Sequence, residues 1–176
     1  MRAVIKGKRV TLRTLRKSDA DKITEYCKNP AISRWTRSIP YPYVKKYAID
    51  YIKNSKEKWN KKEAYNFVIT RKEKIIGSIA LMIKNEGIAE LGYWIAKPYW
   101  GEGYATEASK LVIKEGFKKL KLHKIYAHHI KENLASGRVM QKLGMKKEGI
   151  MREHTKKQGK YRDLIQYGVL RREFKG

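Results

Sequence analysis

Polar and apolar residues alternate with period two along Arg9-Val10-Thr11-Leu12-Arg13-Thr14-Leu15, which predicts a first strand. Ser18-Asp19-Ala20-Asp21 then opens a helix, with Ser18 as N-cap and acids in the first turn. Its apolar face is Ile23, Tyr26 and Cys27, and Pro30 ends it. After a loop through Trp35 and Pro40, Pro42 predicts the first turn of a second helix. One face of that helix carries Val44, Tyr47, Ala48, Tyr51, Ile52 and Trp59.

Three strands follow, Tyr65 to Thr70, Ile75 to Ile83 and Ile88 to Ala96, joined at Lys72-Glu73-Lys74 and Asn85-Glu86-Gly87. Ala105, Ala108, Leu111, Val112 and Leu120 mark a long helix, and Ile125 to Ile130 another strand. Asn133 starts a further helix that closes at Gly144 in the C′ position. Two strands end the pattern, Met145 to Glu153 and Tyr161 to Leu170, around a turn at Gln158-Gly159. The order β-α-α-β-β-β-α-β-α-β-β predicts a three-layer α/β fold with a mixed sheet. With no linker, repeat or low-complexity tract, residues 1–176 are expected to form one domain.

Composition narrows the function classes. Hydrophobic residues make up 41% of the chain, ordinary for a packed core, and no apolar run approaches the roughly 20 residues of a membrane span. The start, Met1-Arg2-Ala3-Val4-Ile5-Lys6, lacks a signal-peptide pattern, and a single cysteine excludes an internal disulfide and a Cys-rich zinc site. A cytoplasmic protein without a metal is expected. Lys and Arg number 42 against 17 Asp and Glu, a net charge of +25 that attracts polyanions. The excess is mostly lysine and spread over nearly every segment, as a compositional bias is, whereas base readout favours arginine forks.

The chemistry concentrates between Leu91 and Ala108. Leu91-Gly92-Tyr93-Trp94-Ile95-Ala96 ends a strand, Trp100-Gly101-Glu102-Gly103 forms a loop with alternate glycines, and Tyr104-Ala105-Thr106-Glu107-Ala108 begins a helix. Successive N–H groups in such a loop converge on one anion, aided by the helix dipole. It is neither a Walker loop nor a full Gly-x-Gly-x-x-Gly, since Thr106 stands where the last glycine belongs. Those residues alone indicate a phosphate-bearing cofactor of unspecified type.

The wider pattern resembles the GNAT N-acetyltransferase superfamily, whose acetyl-CoA loop reads Arg/Gln-x-x-Gly-x-Gly/Ala. Gly103 and Ala105 match, while Trp100 replaces the Arg/Gln, as in the branch of ribosomal-protein N-terminal (alanine, serine) and spermidine acetyltransferases. Glu90 to Ile95, Asn133-Leu134-Ala135-Ser136, Lys142 to Met145, Glu148-Gly149 and Gly159 to Asp163 extend the likeness from Arg9 to Phe174. The resemblance implies a mostly antiparallel sheet splayed open at the acetyl-CoA site. It implies that the pantetheine arm pairs with the backbone of Trp94, Ile95 and Ala96. The pyrophosphate would lie over the amides of Gly101, Glu102, Gly103, Tyr104, Ala105 and Thr106.

By the same resemblance Asn133 contacts the CoA arm, a role compatible with an N-cap. Ser136 is the general acid, because the position where many members carry a proton-donating tyrosine is Met140. The amine acceptor must lose a proton, and Glu90 is the candidate base, with Glu153 and His154 as alternatives. Glu107 reads as a helix-dipole partner, and His123, His128 and His129 as sheet or surface residues. Cys27 lies outside every motif, so direct transfer is implied. The charge favours a protein N-terminus, such as that of a ribosomal protein, over spermidine or another small amine. A basic RNA- or ribosome-associated module that only binds CoA is the reading from a different class, and a homodimer through the late strands is compatible with either.

Overall fold

The computed structural model describes residues 1–176. Eight strands form one sheet in the order β1-β2-β3-β4-β5-β6-β8-β7. They are β1 (Val4–Lys6), β2 (Thr11–Arg13), β3 (Ala64–Arg71), β4 (Lys74–Asn85), β5 (Ile88–Ile95), β6 (Lys124–Ile130), β7 (Lys146–Lys157) and β8 (Lys160–Leu170). The helices are α1 (Ala20–Cys27), α2 (Pro30–Trp35), α3 (Lys45–Asn60), α4 (Tyr104–Lys119) and α5 (Leu134–Lys142). Every neighbouring pair is antiparallel except β5 and β6.

Side-chain alternation along β3 produces the layers. Tyr65, Phe67 and Ile69 point to one face and join a core with Ala108, Val112 and Ile113 of α4 and Met140 of α5. Val68 points the other way, into a smaller core with Ile23 and Cys27 of α1, Ile32 of α2 and Ala48 of α3. The three-layer expectation thus matches the architecture. Gly116 lets α4 lie close on the sheet: a Cβ there would stand 2.8 Å from Leu81 Cδ2. Glu115, the buried acid of α4, is neutralised by the Arg2 guanidinium.

Local chemistry accounts for the departures from the expected elements. β1 went unpredicted because three residues are too few for periodicity; it closes the edge against β2, itself shorter than the alternating run. Ser18 is not an N-cap. It sits in a 3-10 turn, Lys17–Asp19, where Asp19 takes the Arg16 N–H at 2.7 Å and the Arg13 guanidinium at 2.8 Å. Pro30 ends α1 but also starts α2, because proline suits the first turn and Asn29 caps it by accepting the Ala31 N–H. Pro42 precedes α3, which begins at Lys45. β7 runs past Glu153 to Lys157. A register shift between Met151 and Thr155 absorbs Glu153 at φ +48, whose N–H donates to Asp163 Oδ1 at 3.0 Å. The hairpin turn at Gln158-Gly159, both with positive φ, is where the sequence predicts it.

Candidate functional site

β5 and β6 pair in parallel only from Ile88↔Lys124 to Glu90↔Tyr126. β5 then continues to Ile95 beside β4, and β6 to Ile130 beside β8, so the sheet opens as a V after Glu90. Ala96 N–H donates to Ile76 O at 2.8 Å, which makes that a hydrogen-bonded antiparallel pair. Two residues back, Trp94 therefore also faces β4, while Tyr93 and Ile95 turn their backbone groups into the V.

This corrects part of the expected backbone contact. Ala96 has no free N–H and its carbonyl accepts Tyr99 N–H, Trp94 bonds β4, and the Ile95 carbonyl takes the Trp100 indole N–H at 2.6 Å. What remains open is the backbone of Tyr93 and the N–H of Ile95. The same indole bond explains why tryptophan suits position 100: it ties the loop to the end of β5. As side chains, Ile95 belongs to the larger core and Trp94 packs against the smaller one.

The loop beyond is shaped for an anion. Gly101 and Gly103 have φ of +82 and +78, a conformation that disfavours side chains, and a Cβ on Gly101 would meet nothing within 4 Å. Gly103 caps α4, so the N–H groups of Tyr104, Ala105 and Thr106 have no helical acceptor. Glu107 accepts the backbone N–H of Arg9 at 2.7 Å and the Arg9 Nε at 2.8 Å; Arg9 Nη1 in turn donates to Glu102 O at 2.9 Å. Glu107 is thus a clamp that uses Arg9 to hold the loop, and the guanidinium also lies 4.9 Å over the Tyr104 ring. A groove of about 290 Å³ runs from this loop to α5, lined by Gly101, Gly103, Thr106, Asn133, Arg138 and Lys142 among others.

A second, larger cleft of about 550 Å³ lies on the α3 side, and the two share Trp35, Thr36, Tyr93, Trp94 and Ser136. At that junction Tyr93 O–H donates to Ser136 Oγ at 3.3 Å. Burial pushes the Tyr93 phenol up to about 12, so it keeps its proton, although the Ser136 bond offsets part of the shift. Ser136 sits in the first turn of α5 because Asn133 caps that helix, its Oδ1 accepting Ser136 N–H at 3.2 Å.

Glu90 lines the larger cleft and is 5% exposed, not on a solvent face. Burial raises its pKa, but hydrogen bonds from His128 and Lys84 and the Arg37 charge outweigh that and hold it at about 2. Arg37 Nη2 and Lys84 Nζ each lie 2.8 Å from its oxygens, and His128 Nδ1 3.4 Å. His128 Nε2 meets Gln166 Oε1 at 2.9 Å, and the Gln166 amide donates to Glu148 at 2.8 Å. Because a carboxylate only accepts, Glu148 orients the Gln166 amide so that its Oε1 faces His128 Nε2. His128 and His129 are therefore cleft residues and not merely sheet filling. Glu153 and His154 lie on β7, outside the residues lining the cleft.

The loop, Asn133, Ser136 and Glu90, all named from the sequence, come together along the two clefts. Tyr93 as the Ser136 partner, and Arg37, Lys84 and His128 around Glu90, were not anticipated. Only Tyr93 carried a local signal, being the inward-facing position of the strand motif. No group of three or more His, Cys, Asp or Glu side chains is placed to hold a metal ion, and no helix is long and apolar enough to cross a membrane.

Comparison with known proteins adds to this geometry. The family described as Acetyltransferase (GNAT) domain matches residues 9–146. An uncharacterized N-acetyltransferase, p20, of Bacillus licheniformis is 31% identical over 172 residues, covering 96% of each chain. The spermidine N(1)-acetyltransferase of Escherichia coli is 27% identical over 94% of this chain and 88% of its own. Among solved structures, RimL, a ribosomal L7/L12 alpha-N-protein acetyltransferase in complex with coenzyme A, superposes with a TM-score of 0.88 at 16% identity, over 95% of this chain and 97% of that one.

Proposed function

Because the chain belongs to the GNAT acetyltransferase family and is an acetyl-CoA-dependent N-acetyltransferase, we propose that its acceptor is a protein N-terminus, such as that of a ribosomal protein. The observation that carries this reading is the state of Glu90. A carboxylate held at about 2 by three basic side chains is a poor proton acceptor. The acceptor must then arrive with a usable neutral fraction of its own. An α-amine near pKa 8 is about one-tenth neutral at pH 7, whereas a lysine-like or polyamine nitrogen near 10.4 is neutral in only about 4 parts in 10,000. The cleft also lacks spare negative charge for a polyamine, since Asp50, its other carboxylate, is bonded to Lys46 at 2.9 Å.

The residues fit acetyl-CoA. The amides of Gly101 to Thr106 and the α4 N-terminus suit its pyrophosphate, with Arg138 and Lys142 beside the groove for further phosphate charge. Asn133 holds the α5 terminus and faces the same groove. Tyr93 and Ile95, the strand residues with open backbone, satisfy amides of the pantetheine arm, with Trp94 and Ala96 supporting through β4. When bound, acetyl-CoA supplies a thioester carbonyl for direct attack. The acceptor nitrogen forms the new C–N bond as the C–S bond breaks. N–H groups of β5 stabilise the charge that develops on the carbonyl oxygen.

Ser136 donates its hydroxyl proton to the departing sulfur as it takes one from Tyr93, whose O–H already points at it, and Tyr93 regains its proton from water in the cleft. Glu90 is a positioning residue in this account: it fixes Arg37 and His128 across the cleft and orders the water through which the amine proton leaves. The whole chain acts as one domain in a cytoplasmic setting, and the +25 charge suits work close to RNA. A thioester-consumption assay against Ala-, Ser- and Met-starting peptides, spermidine and Nα-blocked lysine peptides tests the proposal. Turnover confined to free peptide N-termini supports it. Preference for spermidine overturns it, and CoA binding with no acceptor consumed also overturns it.

A further inference from the structure

A cavity of about 1050 Å³, larger than either the CoA groove or the acceptor cleft, lies apart from both. It exists because β2 covers only Val68 to Thr70 of β3, so the stretch from Ala64 to Phe67 has no strand on that side. Helix α3 bridges the gap. One side of α3 gives Tyr47, Tyr51 and Asn54 to the acceptor cleft; the other gives Ile49, Ile52 and Lys53 to this cavity.

The lining is chemically divided. Leu15, Ile52 and Trp59 form an apolar wall, while Lys17, Lys45, Lys53 and Lys56 stand on the exposed helices and turn around it. Lys45 is tied to Asp21 at 2.6 Å. The other three lysines have no acidic partner, and Glu57 is the one remaining carboxylate in the lining. On the floor, Asn66 borders both this cavity and the acceptor cleft and is only 7% exposed. The hydroxyls of Tyr51 and Ser78 bond each other, and Ser78 donates to Phe67 O, so neither is committed to Asn66.

We propose that this cavity is a second binding site, for a small organic anion that lays an apolar body on Leu15, Ile52 and Trp59. Its single carboxylate or phosphate meets Lys17, Lys53 and Lys56, and its polar edge meets Asn66. Lysines act here as point charges without the fork needed for bidentate recognition, which fits one compact anionic group.

The test titrates the full-length protein with the fluorescent anion 8-anilinonaphthalene-1-sulfonate in the presence of saturating CoA. Saturable one-to-one binding is expected. The pair Lys53→Glu/Lys56→Glu should weaken it about tenfold or more, while Lys110→Glu/Lys114→Glu on the exposed side of α4, with the same change in net charge, should leave it within about twofold. Ile52→Trp, which fills the apolar wall and keeps the lysines, should also weaken it. Displacement by octanoate identifies a carboxylate site and displacement by octyl phosphate a phosphate site. Loss of the signal on adding CoA, equal weakening by both lysine pairs, or displacement by neither octyl compound overturns the proposal.

Discussion

Replacing Glu90 by Gln separates the two roles open to this side chain. The folded structure lowers its pKa from 4.5 to about 2, a difference worth roughly 3 kcal/mol at pH 7. The sign follows from the direction. A depressed carboxylate contributes its stability above the unfolded value of 4.5 and loses it as pH falls through the folded value near 2. Arg37 and Lys84 are 43% and 38% exposed and can turn into water once the carboxylate is gone, which trims the loss. Glu90→Gln should therefore be less stable than the parent by about 2–3 kcal/mol at pH 7 and by less than half of that at pH 3.

Guanidinium unfolding of both proteins at each pH, followed by tryptophan fluorescence, reads the difference directly. At pH 8, turnover on an N-terminal amine should stay within about threefold, since a positioning residue and not the base has been changed. An equal stability gap at both pH values would refute the charge argument. A turnover loss of about 100-fold that recovers as pH rises would make Glu90 the base and refute the chemical one.

Ser136→Ala and Tyr93→Phe should each lower kcat by about 10- to 100-fold with unchanged CoA affinity. The double variant should cost little more than either one, because the two hydroxyls act as a unit; full additivity in steady-state kinetics would separate them. Gly103→Glu should weaken CoA binding at least tenfold in calorimetry, from a side chain forced to positive φ and a carboxylate set against the diphosphate; unchanged affinity would remove the proposed cradle. Cys27 is buried and its thiol is pushed up to about 12, so iodoacetamide at pH 8 should label it only after unfolding, and labelling of the native protein would contradict that burial.

Features written in short stretches of chain were the legible ones. The loop glycines, the Asn133 cap and the Gln158-Gly159 turn each depend on two to four neighbouring residues, and the sequence predicts all three. α2 was hidden because Pro30 does two jobs at once, ending one helix and starting a six-residue one too short for periodicity. Which backbone groups of β5 stay open depends on pairing with β4, so hydrophobic alternation gave no means of choosing Tyr93 and Ile95 over Trp94 and Ala96. Glu90 is named from the sequence, but the charges around it are not legible there. The basic side chains around it come from a loop, β4 and β6, brought together only when the sheet forms. The Tyr93–Ser136 bond likewise joins a strand and a helix that are 43 positions apart.

The central claim is that the site acetylates an amine able to shed its own proton. One peptide with a free N-terminal serine and an internal lysine, incubated with acetyl-CoA and the enzyme at pH 7 and fragmented in a mass spectrometer, tests it within a single molecule. Acetyl found on the α-nitrogen alone is the predicted result. Acetyl on the lysine side chain would contradict the account.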